Sequence, residues 1–152
     1  LLEVRLADFT LRKALESEAG QISHLVNLVG INPTGLDWKR FVVAVDPLGS
    51  IIGCGQLKPH GRDMLELASI GVLPEHRGQG VARAIIEELL REGQRPLYLM
   101  CMSHNGPMYE KFGFKGIAPD QMPRYFQRIH KLFGLAHVIS RTGEELLVMK
   151  LG

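Results

Sequence analysis

Two short stretches of the sequence hold residue types that can do chemistry. The first is RGQGVA, residues 77–82, in which Gly78 and Gly80 follow Arg77 and precede an apolar, leucine-rich run. Glycine costs a helix roughly 1 kcal/mol relative to alanine, so two of them at a helix start need a backbone reason. The order along the chain is apolar strand, then PEHRGQG, then helix. A strand feeding a helix N-terminus gathers unpaired N–H groups into one concavity, and the helix dipole adds positive potential there. Such a place suits a phosphate or pyrophosphate. Bare backbone at the glycines lets amides approach the anion, and Arg77 and Arg83 add charge. A plain turn with a flexible helix start is the alternative, and composition does not separate the two. Two other phosphate loops are excluded. A dinucleotide fingerprint requires a third glycine where Arg83 stands, and a P-loop requires Gly-Lys-Ser/Thr at its end.

The second stretch is LELASIGVL, residues 65–73, an apolar run interrupted by Glu66. A carboxylate in such a run must be paired, exposed on one face, or raised in pKa. A raised value suits a general base near neutrality, whereas the plainer reading is an exposed cross-strand carboxylate. By strand alternation Glu66, Ala68, Ile70 and Val72 share a face unless a bulge intervenes.

The elements that must position these residues follow from periodicity. Residues ~2–14 alternate as a strand and 17–29 carry helical apolar spacing. GINPTG, 30–35, is a loop, and Asp37 is placed to cap a short helix. FVVAVD (41–46), SIIGCGQLKP (50–59) and MLELASIGVL (64–73) read as three strands of an antiparallel meander. An amphipathic helix over ~79–92 carries Val81, Ile85, Ile86, Leu89 and Leu90 on one face. Then come a buried strand at 97–102, a short helix over 105–112, a strand at 114–117, a helix over ~120–134 and a last strand at 145–151. This is a mixed α+β sheet protein.

Composition bounds the function. The chain has 152 residues, 45% hydrophobic and 22% charged, with a net charge of +2. This fits one globular domain, and the small charge argues against nucleic acid as a general partner. No apolar run reaches the ~20 residues of a membrane span. Cys54 and Cys101 lie in apolar runs, read as buried free thiols, and form neither a disulfide framework nor a zinc spacing. No metal is expected. A reducing, cytoplasmic location fits, with an organellar one after removal of a targeting segment left open.

The stretch ASIGVLPEHRGQGVARAIIEELL, 68–90, closely resembles the signature of the GNAT superfamily of acyl-CoA N-acyltransferases, whose pyrophosphate loop reads Arg/Gln-x-x-Gly-x-Gly/Ala: here Arg77, Gly80 and Ala82. MYEKFGF, 108–114, resembles the family's Tyr-Glu-Lys-x-Gly-Phe segment in the expected order and spacing. The resemblance covers roughly residues 40–117. It implies a single-domain GNAT-like fold, with a mixed sheet of six or seven strands, splayed central strands and flanking helices. It also implies acetyl-CoA as cosubstrate. The pyrophosphate would meet the amides of Gly78, Gln79, Gly80, Val81, Ala82 and Arg83, and the pantetheine arm would bond the free backbone of Ile70, Gly71 and Val72 like an added strand.

Acyl transfer to an amine needs a route for the amine's proton, a donor for the developing oxyanion and a proton for the leaving thiolate. Some members of the resembled family carry a base at the position of Glu66, and many use the tyrosine matched by Tyr109 as general acid, a phenol being protonated at neutral pH. A packing role for Tyr109 is the alternative. The asparagine often found seven residues earlier is Met102 here; Asn105 is a candidate to cap the helix or bond the cofactor arm. His60 and His104 are minor proton-relay candidates. His24, His76, His130 and His137 read as surface or helix-face residues.

The acceptor would meet the loop after the first helix, with Trp38 either packed on the sheet or lining the site, and the long segment before the last strand. That segment, with Met122-Pro123, loosely resembles the insertion of short amino-acid acetyltransferases of arginine biosynthesis. Arg124, Arg128 and Lys131 on it would greet a carboxylate or form a solvated helix face. The expected function is therefore transfer of an acetyl group to a primary amine of a small molecule or amino acid through a ternary complex, a homodimer being compatible. The rivals are a peptide or protein acetyltransferase and a non-catalytic acyl-CoA-binding module.

Overall fold

FVVAV at 41–45 is β-branched and apolar at nearly every position, the pattern of a strand covered on both faces, and all five residues are buried. Around it a computed structural model describes residues 8–140 and 143–152. The elements run β1 (Thr10–Lys13), α1 (Ala19–Leu28), β2 (Phe41–Val45), β3 (Ile51–His60), β4 (Met64–Val72), α2 (Val81–Glu92), β5 (Leu97–Met102), α3 (Gly106–Glu110), β6 (Lys115–Gly116), α4 (Arg124–Ser140) and β7 (Leu146–Leu151). Seven strands form one mixed sheet in the order β1-β2-β3-β4-β5-β7-β6. The chain divides into two compact units, Leu1–His60 with Leu67–Gln94 and Gly61–Glu66 with Arg95–Gly152.

In the first unit β1 and β3 flank β2 in antiparallel register, Leu11 opposite Ala44 and Val43 opposite Cys54. Ile22, Leu25 and Val26 of α1 share a core with Phe41, Val43, Val45 and Cys54, and the half-buried Trp38 packs against it. Trp38 thus takes the packing role, in a single 3₁₀ turn whose start is capped by Asp37 accepting the Lys39 N–H at 3.1 Å. The other face of β3 lies under α2. An ideal Cβ on Gly55 would stand 2.8 Å from Ile85 Cγ2 and 2.6 Å from Ile70 Cδ1, so this strand glycine permits the close approach of helix to sheet.

In the second unit β7 pairs antiparallel with β5 and with β6, Leu99 opposite Met149 and Gly116 opposite Met149. The start of β4 joins β5 in parallel register, Leu65 with Leu97 and Glu66 with Tyr98. Met122 and Phe126 cover Tyr98 and Val148, the Tyr98 and Phe126 ring centroids standing 5.5 Å apart.

Three boundaries differ from those the sequence pattern predicts. Residues 2–7 of the expected first strand lie outside the described residues, and β1 occupies Thr10–Lys13. The first helix opens with a 3₁₀ turn, Glu16–Glu18. The Glu18 carboxylate, 6% exposed, accepts both Arg12 guanidinium nitrogens at 2.7 Å and the Leu15 N–H at 2.8 Å, which holds its pKa below the usual carboxylate value, the Arg12 hydrogen bonds being the main cause. The helix expected over ~120–134 continues to Ser140, carrying Gly134 inside it.

Candidate active site

The loop before α2 is built by two left-handed glycines, Gly78 at φ +75° and Gly80 at φ +81°. The first hydrogen bond of α2 runs from the Ala84 N–H to the Gly80 carbonyl at 3.0 Å, and the last bond before the loop from the Arg77 N–H to the Pro74 carbonyl at 3.3 Å. The six N–H groups between them, of Gly78, Gln79, Gly80, Val81, Ala82 and Arg83, donate to no described residue. A helix start with that many free donors is an anion site in waiting. An ideal Cβ on Gly78 or Gly80 would meet no atom within 4 Å. The glycines are therefore required by their backbone angles, and the space above them is open. The loop thus fits a pyrophosphate. Arg77 is exposed and forms no ion pair with a described residue, whereas Arg83 pairs with Glu87 at 3.0 Å.

Ile70, Gly71 and Val72 form the end of β4, just after Ser69, whose φ is +58°. An L-residue in that region breaks the extended strand. The single face expected for Glu66, Ala68, Ile70 and Val72 therefore does not carry through β4. Past Ser69, Ile70 reaches the α2 side beneath Gly55, and an ideal Cβ on Gly71 would stand 3.0 Å from Leu25 Cδ2 on the α1 side. Ser69 is held from β3: its hydroxyl accepts Gln56 Nε2 at 2.9 Å and its carbonyl accepts the Cys54 thiol at 3.4 Å.

In the second unit Glu66 is 4% exposed. Its register partner Tyr98 puts it on the sheet face that Phe126 covers. The Tyr125 phenol is raised above its ordinary pKa, first by burial and then by the negative charge of Glu66. The exposed cross-strand reading of Glu66 thus gives way to a buried carboxyl beside a tyrosine.

Tyr109 sits in α3, 8% exposed, edge-on to Phe114 with ring centroids 6.2 Å apart. Burial, with a smaller contribution from Cys101, pushes its phenol up to about 12. Asn105 holds the N-cap position of α3, but its side chain makes no capping hydrogen bond.

A family profile described as an acetyltransferase (GNAT) domain matches residues 37–116, from Asp37 through β6. The chain belongs to the GNAT acetyltransferase family. An uncharacterized N-acetyltransferase of Chlorobaculum tepidum is 26% identical over 136 residues, covering 80% of this chain and 85% of its own. Among solved structures, N-acetylglutamate synthase from Neisseria gonorrhoeae, complexed with coenzyme A and N-acetyl-glutamate, aligns with a TM-score of 0.72 and 19% identity, covering 96% of this chain and 36% of that one. This GNAT chain thus spans about a third of the synthase. Rv2747 from Mycobacterium tuberculosis, in complex with CoA, aligns with a TM-score of 0.71 and 21% identity, covering 94% of this chain and 99% of its own.

His104 pairs with Glu144 at 2.8 Å on the surface. His60 ends β3 and His24 is exposed. His76 is half-buried, His130 lies half-buried on α4, and the side chain of His137 lies outside the described residues. Arg124, Arg128 and Lys131 are exposed on α4, as a solvated helix face would be. Cys54 and Cys101 are buried free thiols, pushed up by burial to about 12 and about 11, so neither is a nucleophile at neutral pH. Among the described residues no three His, Cys, Asp or Glu side chains cluster to hold a metal, and no helix is long and apolar enough to cross a membrane.

Sequence reasoning passed over Gln56 and Tyr125. Gln56 had the same signal as Glu66, a polar residue inside an apolar strand run, and it is fully buried. Tyr125 had none, since an aromatic on an amphipathic helix reads as packing.

Proposed function

We propose that this GNAT chain acts as one catalytic domain that transfers the acetyl group of acetyl-CoA to the primary amine of an amino acid or similar small molecule, by direct attack in a ternary complex. The observation that carries the reading is the run of six N–H groups, from Gly78 to Arg83, that donate to no described residue. Its donors and the start of the α2 dipole neutralise a pyrophosphate, with Arg77 adjacent as a cation that pairs with no described residue. Ile70, Gly71 and Val72 offer backbone groups to the pantetheine amides. Asn105, whose side chain makes no capping hydrogen bond, is a further cofactor-binding candidate.

Glu66 removes the proton of the attacking amine, directly or through water. It is a buried carboxyl, 4% exposed, of the residue type that takes a proton in general-base catalysis. Tyr109 donates a proton toward the leaving thiolate; with its phenol near 12 it is fully protonated at neutral pH. The amino-acid leaning is supported by the Neisseria synthase, a fold neighbour complexed with N-acetyl-glutamate.

The test is an acceptor screen with acetyl-CoA, following free thiol across amino acids, polyamines and peptides. Turnover with amino acids or small amines is expected. Turnover with peptides alone overturns the small-molecule reading, and no turnover with any amine, despite acetyl-CoA binding, makes the chain a binding module.

A further inference from the structure

We infer that Lys58 receives a carboxylate of the acceptor, so that the substrates are amino carboxylic acids and not simple amines. This rests on the acceptor reading above and narrows it. Lys58 lies near the end of β3 and is half-buried. It makes no hydrogen bond or ion pair with a described residue. Its ammonium is pressed against the loop between α1 and β2: an ideal Cβ on Gly35 would fall on Nζ and stand 2.7 Å from Cε. Gly35, at φ +67°, thus leaves a notch that the ammonium fills.

A lysine normally carries its charge out to water, and partial burial of an unpaired ammonium is unfavourable unless an anion joins it. The carboxylate nearest in sequence to the notch is already engaged. Asp37 caps the Lys39 N–H at 3.1 Å and lies 3.7 Å from Arg40. The loop over Lys58 is also fixed in shape. Asn32 Oδ1 accepts both the Thr34 N–H at 3.0 Å and the Thr34 hydroxyl at 2.7 Å, and the Gly35 carbonyl accepts Gln56 Nε2 at 3.3 Å. Gln56 Nε2 must face that carbonyl, because the reverse amide orientation would set two oxygens together. Its Oε1 is buried and has no partner among the described residues. The Lys58 ammonium, unpaired among the described residues and set beside a loop of fixed shape, matches a ligand that brings a carboxylate, and an amino acid brings one together with its amine.

The experiment compares L-amino acids with their own carboxamides as acceptors, by thiol release, in the wild type, Lys58→Met and Lys58→Arg, with acetyl-CoA affinity measured separately as the check on folding. The wild type should prefer the acids. Lys58→Met should raise KM for the acids by roughly 10- to 100-fold, the size of a lost charged hydrogen bond, and leave the carboxamides and acetyl-CoA affinity unchanged. Lys58→Arg should keep the preference. Small-amine turnover with the same acid-to-amide ratio in Lys58→Met overturns the Lys58 assignment alone. A fall in acetyl-CoA affinity in that variant assigns Lys58 to the donor and equally overturns it. A wild type that acetylates peptides and no small amine overturns the acceptor reading, and this inference with it.

Discussion

Gln56 donates its amide Nε2 to the Ser69 hydroxyl at 2.9 Å, and Ser69 is the one described non-glycine residue with a positive φ. A left-handed L-residue costs roughly 1–2 kcal/mol, and it persists only where neighbours hold it. Here the holders are Gln56 on the side chain and the Cys54 thiol on the carbonyl. The kink then re-aims Ile70, Gly71 and Val72, the residues assigned to the pantetheine arm.

Removing the holder should therefore be felt at a distance. Gln56→Leu strips the partner from both the Ser69 hydroxyl and the Gly35 carbonyl, and an unsatisfied buried polar group costs about 1–3 kcal/mol. Urea denaturation should show a loss of that order. Ser69→Gly, which removes the hydroxyl but relieves the backbone, should be milder than Ser69→Val, because a β-branched residue is a true outlier at positive φ. Equal stability of the glycine and valine variants would show that Ser69 is not held left-handed in solution.

The two glycines of the anion loop call for a control that carries the same backbone strain without the site. Gly49 supplies it: φ +86°, in the turn between β2 and β3, with nothing within 4 Å of an ideal Cβ. Gly80→Ala and Gly49→Ala should each lose about 1–2 kcal/mol of stability. Only Gly80→Ala should weaken acetyl-CoA binding, because only there does the new methyl stand over free N–H donors. Calorimetric titration of both variants checks this, and matched affinities would remove the pyrophosphate from the loop.

The sequence made most of this legible because its apolar runs have clear punctuation. Pro47 to Ser50 and the Gly61 turn separate β2, β3 and β4 within a residue or two, and the α2 face was visible in Val81, Ile85, Ile86 and Leu89. Ser69 was not legible. Period-two alternation reports burial, and a serine in mid-strand says nothing of its own φ. The far end of α4 was hidden by Gly134, which reads as a breaker but costs only about 1 kcal/mol inside a helix. Lys58 was hidden for the opposite reason. A lysine at a strand end looks like solvent-facing charge, and only the loop 23 residues earlier in the chain, which touches it at Gly35, shows that it is half-buried.

Glu66→Gln keeps shape and hydrogen bonding but cannot accept a proton. Turnover should fall by roughly 10²-fold or more, the usual size of general-base help, with acetyl-CoA affinity held. The residual rate should rise with pH as more of the amine is neutral in solution. A variant with wild-type turnover across pH 6–9 would leave Glu66 as a buried structural partner of Tyr125.

Tyr109→Phe removes only the hydroxyl. The ring's edge-on contact with Phe114 stays, so the fold should survive. If the phenol protonates the leaving thiolate, the chemical step should slow by roughly 10- to 10³-fold, and the loss should shrink for acyl donors with more acidic thiols, which need less help to leave. Single-turnover rates over such a donor series check this; the same dependence on thiol acidity in both proteins would mean that Tyr109 packs or positions only. Stability supplies a second readout. The folded phenol titrates near 12 and the unfolded one near 10, so above pH ~10 the unfolded state sheds the proton first. The contribution of Tyr109 to stability is thus complete below pH ~10 and is lost as the pH rises toward 12. Tyr109→Phe should flatten that alkaline fall in melting temperature while leaving the acid side unchanged, and a wild-type alkaline profile in the variant would mean that the phenol is not buried in solution.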